Sequence, residues 1–111
     1  MKNFLILFRE PDGRTITHSE KATKEHQLNW KTWLEEYGKQ GTIIGGNALT
    51  LNGKLIKGKN KEVIDKIHSV GTEIVGGFLI IKSKDLNEAT ELIKSCPIFE
   101  FDGYAEVREI Q

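Results

Sequence analysis

Phe4-Leu5-Ile6-Leu7-Phe8, residues 4–8, is apolar on two sides at once. In an extended strand successive side chains leave on opposite faces, so Phe4, Ile6 and Phe8 form one surface and Leu5 and Leu7 the other. A strand wetted on one side would alternate apolar with polar residues, whereas this one asks for burial twice. Phe78-Leu79-Ile80-Ile81, inside the longer run Glu73 to Lys82, repeats the pattern. The sheet built from such strands therefore needs cover front and back.

The rest of the chain supplies cover for one face only. After the first strand, Pro11-Asp12-Gly13 is a turn sequence in which Pro presets φ and Gly accepts a positive one. From about Ala22 to Lys39, His26, Trp30, Trp33 and Tyr37 recur at helical spacing with Leu34 beside them, which predicts a helix with one aromatic face and Gly41 as its cap. Lys31 and Glu35, then Glu35 and Lys39, are spaced to pair on its outer face. Thr42 to Leu51 reads as extended chain, with Asn52-Gly53 as a hairpin signal before Leu55-Ile56 and more strand at Val63-Ile64. Gly76-Gly77 marks a bulge or a close backbone approach within the following strand. Asp85 caps a second helix whose apolar stripe, Leu86, Ala89, Ile93 and Cys96, runs to Pro97. Asp102-Gly103 then turns the chain into a last strand, Tyr104 to Ile110.

The order β, α, hairpin with further strand, α, β predicts an α+β fold: a ferredoxin-like antiparallel sheet with two helices on one face. Residues 1–111 form one domain in this reading, because 111 residues leave no room for two cored halves. The second apolar face should then meet the sheet of an identical chain, giving a homodimer.

Composition narrows the function classes. Lys plus Arg equal Asp plus Glu at 16 each, so no overall field draws the chain to a phosphate backbone or an anionic membrane. Neither nucleic acid nor a membrane is an expected partner; RNA binding through the lysines is the weakest of the alternatives. Cys96 is alone and cannot pair within the chain, and the N-terminal apolar run is too short for a signal segment, so a cytoplasmic location is expected.

Several motifs fail on their chemistry. Gly53 to Lys59 has the glycine and lysine spacing of a phosphate-binding loop, but Asn60 replaces the hydroxyl that would hold magnesium, and no helix start follows to carry the phosphates. Lys54, Lys57, Lys59, Lys61 and Lys66 read instead as a charged hairpin edge, without the interleaved aromatics of a nucleic-acid surface. His18, His26 and His68 show no zinc-ligand spacing, and neither a metal nor a cofactor is expected. Cys96 reads as packing near a helix C-terminus, and no serine elbow exists. His26 stands out because it lies at the N-terminal end of the aromatic face, where the helix dipole favours a neutral ring able to act as a base. Asp65 and Glu73, in or beside strands, are candidate pocket carboxylates; Trp30 and Trp33 read first as core.

Taken together, Trp30 and Trp33, the segment Gly41-Thr42-Ile43-Ile44-Gly45-Gly46-Asn47-Ala48-Leu49, Gly76-Gly77-Phe78, Asp85 to Ser95 with Cys96-Pro97, and Gly103 with Glu106-Val107-Arg108 resemble the YCII-related family, also called the DGPF family, along nearly the whole chain. In the naming motif only Asp65 is retained, since Lys66, Ile67 and His68 occupy the glycine, proline and phenylalanine positions. The resemblance implies a dimeric α+β barrel of two sheets packed face to face, with a small cleft in each subunit that in some relatives acts on aromatic or lactone-like compounds. Some relatives place a histidine of a His-Asp pair where Trp30 stands here, one turn after His26. On this basis the expected site is a small-molecule cleft with His26, Asp65 and His68 as the acid-base residues and Trp30 and Glu73 as ligand contacts. The alternative is a non-catalytic ligand-binding or protein-interaction module.

Overall fold

The computed structural model describes residues 1–13 and 17–111. The elements in chain order are β1 (Lys2–Pro11), α1 (Glu20–Lys39), β2 (Ile43–Ala48), β3 (Leu55–Lys57), β4 (Glu62–Ile64), β5 (Glu73–Ser83), α2 (Leu86–Ile93), a short 3-10 helix (Pro97–Phe101) and β6 (Tyr104–Glu109). The main sheet has the order β2-β5-β1-β6, antiparallel throughout, and β3 and β4 form a separate two-stranded ribbon. Two helices on one face of a four-stranded antiparallel sheet, with β1 and β5 in the middle, make the ferredoxin-like α+β arrangement that the strand and helix order predicts.

The central strands are the two with double-sided apolar sequence. Phe4, Ile6 and Phe8 of β1 and Leu79 and Ile81 of β5 are buried together with Trp33 of α1, Ala89 and Ile93 of α2, and Cys96 and Ile98 beyond it. Phe4, Ile6 and Ile81 are fully covered, and burying a side chain of this size contributes about 1.5–3 kcal/mol each. On the opposite face the register sets Leu5 beside Ile80 and Leu7 beside Phe78, all partly exposed and, among the described residues, outside the core that the helices cover.

Local chemistry explains the element ends. The Ser19 hydroxyl accepts from the Ala22 N–H and starts α1. At the other end Gly41 takes φ 75°, its N–H donates to the Gly38 carbonyl and that of Thr42 to the Tyr37 carbonyl, which closes the last turn with a left-handed residue. The Asp85 carboxylate accepts from the Glu88 N–H at 2.8 Å and starts α2.

Two local expectations are corrected. Asn52-Gly53 is not a hairpin turn: neither residue has the positive φ that a tight two-residue turn demands. The ribbon turns later, between β3 and β4, where Gly58 and Lys61 supply positive φ. The second helix stops at Ile93, short of Cys96, and Pro97 opens the 3-10 helix, because Pro suits a first turn and not a continuing one.

Gly76-Gly77 is a bulge, as the sequence suggests. Phe8 pairs with Gly77 and Arg9 with Val75, leaving Gly76 as the extra residue on β5.

Candidate functional site

A cleft of about 670 Å³ opens between α1 and the β2 side of the sheet, within the range of small-molecule pockets. Its wall is apolar: the aromatic Phe8 from β1 and Trp30 from α1, with Leu34 from α1, Ile43 from β2, and Ile98. Its floor is backbone, because Gly45, Gly46, Gly76 and Gly77 bring no side chains into it. Gly46 has φ 140°, and a Cβ there would strike the Phe78 carbonyl and Leu79, so the close approach of β2 to β5 requires glycine.

His26 projects into this cleft from the second turn of α1 and is only 17% exposed at its side chain. Its Nδ1 lies 2.8 Å from Glu100 Oε1, and its Nε2 accepts from the Trp30 indole N–H at 3.1 Å. An indole N–H can only donate, so Nε2 must carry the lone pair and the ring proton sits on Nδ1, directed at Glu100. The second Glu100 oxygen accepts from the Asn29 amide at 2.9 Å, which fixes the carboxylate. Phe101 lies between two imidazoles, 3.7 Å from the His18 ring and 4.3 Å from that of His26. The Trp30 ring stands edge-on to Phe8, with centroids 5.3 Å apart. His26 is thereby an oriented imidazole with a carboxylate behind it.

Glu10 is the second ionisable group of the cleft. Burial pushes its carboxyl above 4.5, and the nearby His26 offsets part of that rise.

The five expected site residues divide. His26 and Trp30 line this cleft and touch each other. Asp65 lines a different and wider cavity of about 1160 Å³, with Asp12, Lys54 and Thr72 among its walls, and pairs with Lys54 at 3.0 Å while remaining 85% exposed. His68 is exposed in the segment between β4 and β5 and lines neither cavity. Glu73 accepts from the Tyr104 hydroxyl at 2.7 Å at the end of β5, and it raises the Tyr104 pKa because the phenol donates to it. By strand alternation that pair lies on the sheet face away from the helices, since Tyr104 is in register with Arg9.

Glu10, Glu100 and Asn29 were not singled out by the sequence. His26 and Trp30 share a helix face, but Glu100 is 74 residues from His26, and no local signal links them. Cys96 is buried in the core and its thiol is pushed up to about 12 by desolvation first, so it is not a nucleophile of the cleft.

The arrangement defines a class: α+β proteins of ferredoxin-like topology with a ligand-sized cleft between the first helix and the glycine-lined sheet edge. Within that class the chain belongs to the YCII-related family, whose model matches residues 4–111. Among solved structures it is similar to a 5-chloro-2-hydroxyhydroquinone dehydrochlorinase from Burkholderia phenoliruptrix AC1100 in complex with 2,5-dihydroxybenzoquinone, at 16% identity and a TM-score of 0.56 over 98% of this chain and 93% of that one. No curated protein matches the sequence. Among the described residues, no helix is long and apolar enough to cross a membrane.

Proposed function

We propose that the protein is a homodimer that binds and transforms a small aromatic or lactone-like molecule in the cleft at His26, by acid-base chemistry. The observation that carries this reading is the commitment of both His26 ring nitrogens, Nδ1 to Glu100 and Nε2 to Trp30, inside an apolar cleft. A hydroxyl or acidic C–H of the ligand takes the place of the Trp30 indole at Nε2 and gives up its proton there. Glu100 holds the imidazole and stabilises the imidazolium that forms, as a carboxylate behind a histidine does in other acid-base sites. The released Trp30 N–H becomes free to donate to a ligand oxygen. Within the family fold, the neighbour with a hydroxylated quinone bound supports the size and class of ligand.

In this reading Glu100 takes the orienting role expected of Asp65, which is paired with Lys54 on the surface, and Trp30 remains a ligand contact. His68 and Glu73 have no part in proton transfer.

The test is turnover of a panel of hydroxylated quinones, phenols and lactones by the wild type and by His26→Ala. Loss of about 10²–10⁴-fold in rate with an unchanged melting temperature is the expected result. Wild-type rates in a variant carrying both His26→Ala and His68→Ala would refute the chemistry. Binding without turnover would favour the non-catalytic ligand-binding module.

A further inference from the structure

Glu10 has no task in the proton transfer described above, yet its surroundings are built around it. It is the last side chain that β1 sends to the helix side before Pro11, and it follows Phe8 into the cleft by strand alternation. The β5 bulge gives it room: a Cβ built on Gly76 would overlap the Glu10 carboxylate. Among the described residues Glu10 makes no hydrogen bond or ion pair, whereas Glu100 holds His26 and Asn29, Asp65 holds Lys54, and Glu73 holds Tyr104. An acceptor left open in a half-buried apolar cleft is a place for a donor from outside.

We propose that Glu10 is the specificity-determining residue of the cleft: its carboxylate accepts a hydrogen bond from a hydroxyl of the bound ring and turns away ligands that carry an acid group. This rests on the reading of the cleft as a small-molecule site. The groups facing Glu10 are few. From α1 comes His26, whose two nitrogens are engaged by Trp30 and Glu100, and behind it stands Glu100 of the 3-10 helix. From β2 and β5 come glycine backbone, apolar side chains and the uncharged Asn47, and no lysine or arginine is among the described residues lining the cleft. Arg9, the neighbouring cation on β1, is held by Glu106 and points to the other sheet face. A ligand carboxylate would therefore meet one carboxylate directly and a second behind His26, while a phenol or enol meets an acceptor. The apolar surroundings strengthen both effects relative to water.

The test compares catechol and benzoate, two planar rings that differ in presenting hydroxyls or an acid group. Each is titrated into the full chain near neutral pH, following the amide signals of Gly45, Gly46, Gly76 and Gly77 and the Trp30 indole N–H. Catechol is expected to move these signals in the wild type at concentrations about 10-fold below any effect of benzoate. In Glu10→Gln that preference should collapse, with weaker catechol binding and stronger benzoate binding. Gly76→Ala, which displaces the carboxylate while leaving Glu10 in the sequence, should lower the preference in the same direction. An unchanged ratio in Glu10→Gln overturns the role of Glu10 and leaves the cleft intact as a ligand site. Failure of both probes to move any cleft signal in the wild type overturns the small-molecule reading with it.

Discussion

Glu10 and His26 show how two ionisable side chains in one cleft come under different controls. Hydrogen bonds on both nitrogens orient His26, whereas burial raises the carboxyl of Glu10. Because the native carboxyl of Glu10 titrates above its unfolded value of 4.5, the native state binds more protons than the unfolded state between the two values. Stability contributed by this group is therefore complete at low pH and is lost as pH rises through the native value. Replacing Glu10 by Gln removes the loss. The melting temperature of Glu10→Gln should exceed that of wild type near neutral pH, with the difference shrinking towards about pH 4. Calorimetry at the two conditions checks this, and an equal difference at both would show that the charge of Glu10 is not what changes.

Among the elements, α1 is the most legible. The spacing of His26, Trp30, Trp33 and Tyr37 places its inner face, and Gly41 marks its end. Gly41 adopts φ 75° and nothing crowds the position where a Cβ would stand, so only backbone strain opposes a larger residue there. Gly41→Ala should cost about 1–2 kcal/mol in urea unfolding, the penalty for an L-residue in the left-handed region, without altering ligand binding in the cleft. A neutral effect would mean that the helix ends differently. The ribbon was less legible. Asn52-Gly53 carries a strong hairpin dipeptide, but the pairing went to β3 and β4, whose turn includes Gly58 and Lys61, because strand partners and not the dipeptide alone settle where a chain reverses. The apolar stripe carries α2 about one turn past its true end at Ile93 for a related reason: Cys96 continues the stripe but packs into the core from outside the helix.

Taken whole, the chain is a slab with extents of 44 × 41 × 19 Å. Its radius of gyration, 15.6 Å, exceeds the ~13 Å of a compact domain of this length, as expected of a sheet covered on one side with a ribbon beside it. The uncovered face presents Leu5, Leu7, Phe78 and Ile80, with Ile44 46% exposed on β2, and the pairs Arg9 with Glu106 and Tyr104 with Glu73 lie towards its β6 side. This is the surface that the proposed homodimer buries. Sedimentation at micromolar concentration should give twice the 12.6 kDa of the chain for wild type and the chain mass for Leu7→Lys, since a charge opposite Phe78 and Glu106 would sit in the middle of the interface. A wild type that sediments at 12.6 kDa would remove the dimer and leave the cleft where it is.

Residue order alone determined the double-sided strands, the aromatic helix face, the bulge glycines and hence the α+β sheet with two helices on one side, because each of these is a short-range pattern of period, size or allowed φ. It also marked His26 and Trp30, which lie four residues apart on one helix face. Only tertiary structure decided what surrounds them: Glu100 reaches His26 from the far end of the chain, Glu10 enters the cleft through a gap left by Gly76 of another strand, and Asp65 goes to the surface with Lys54. Contacts of this kind depend on where strands land relative to one another, and that is settled by burial summed over the whole core, which no local stretch encodes.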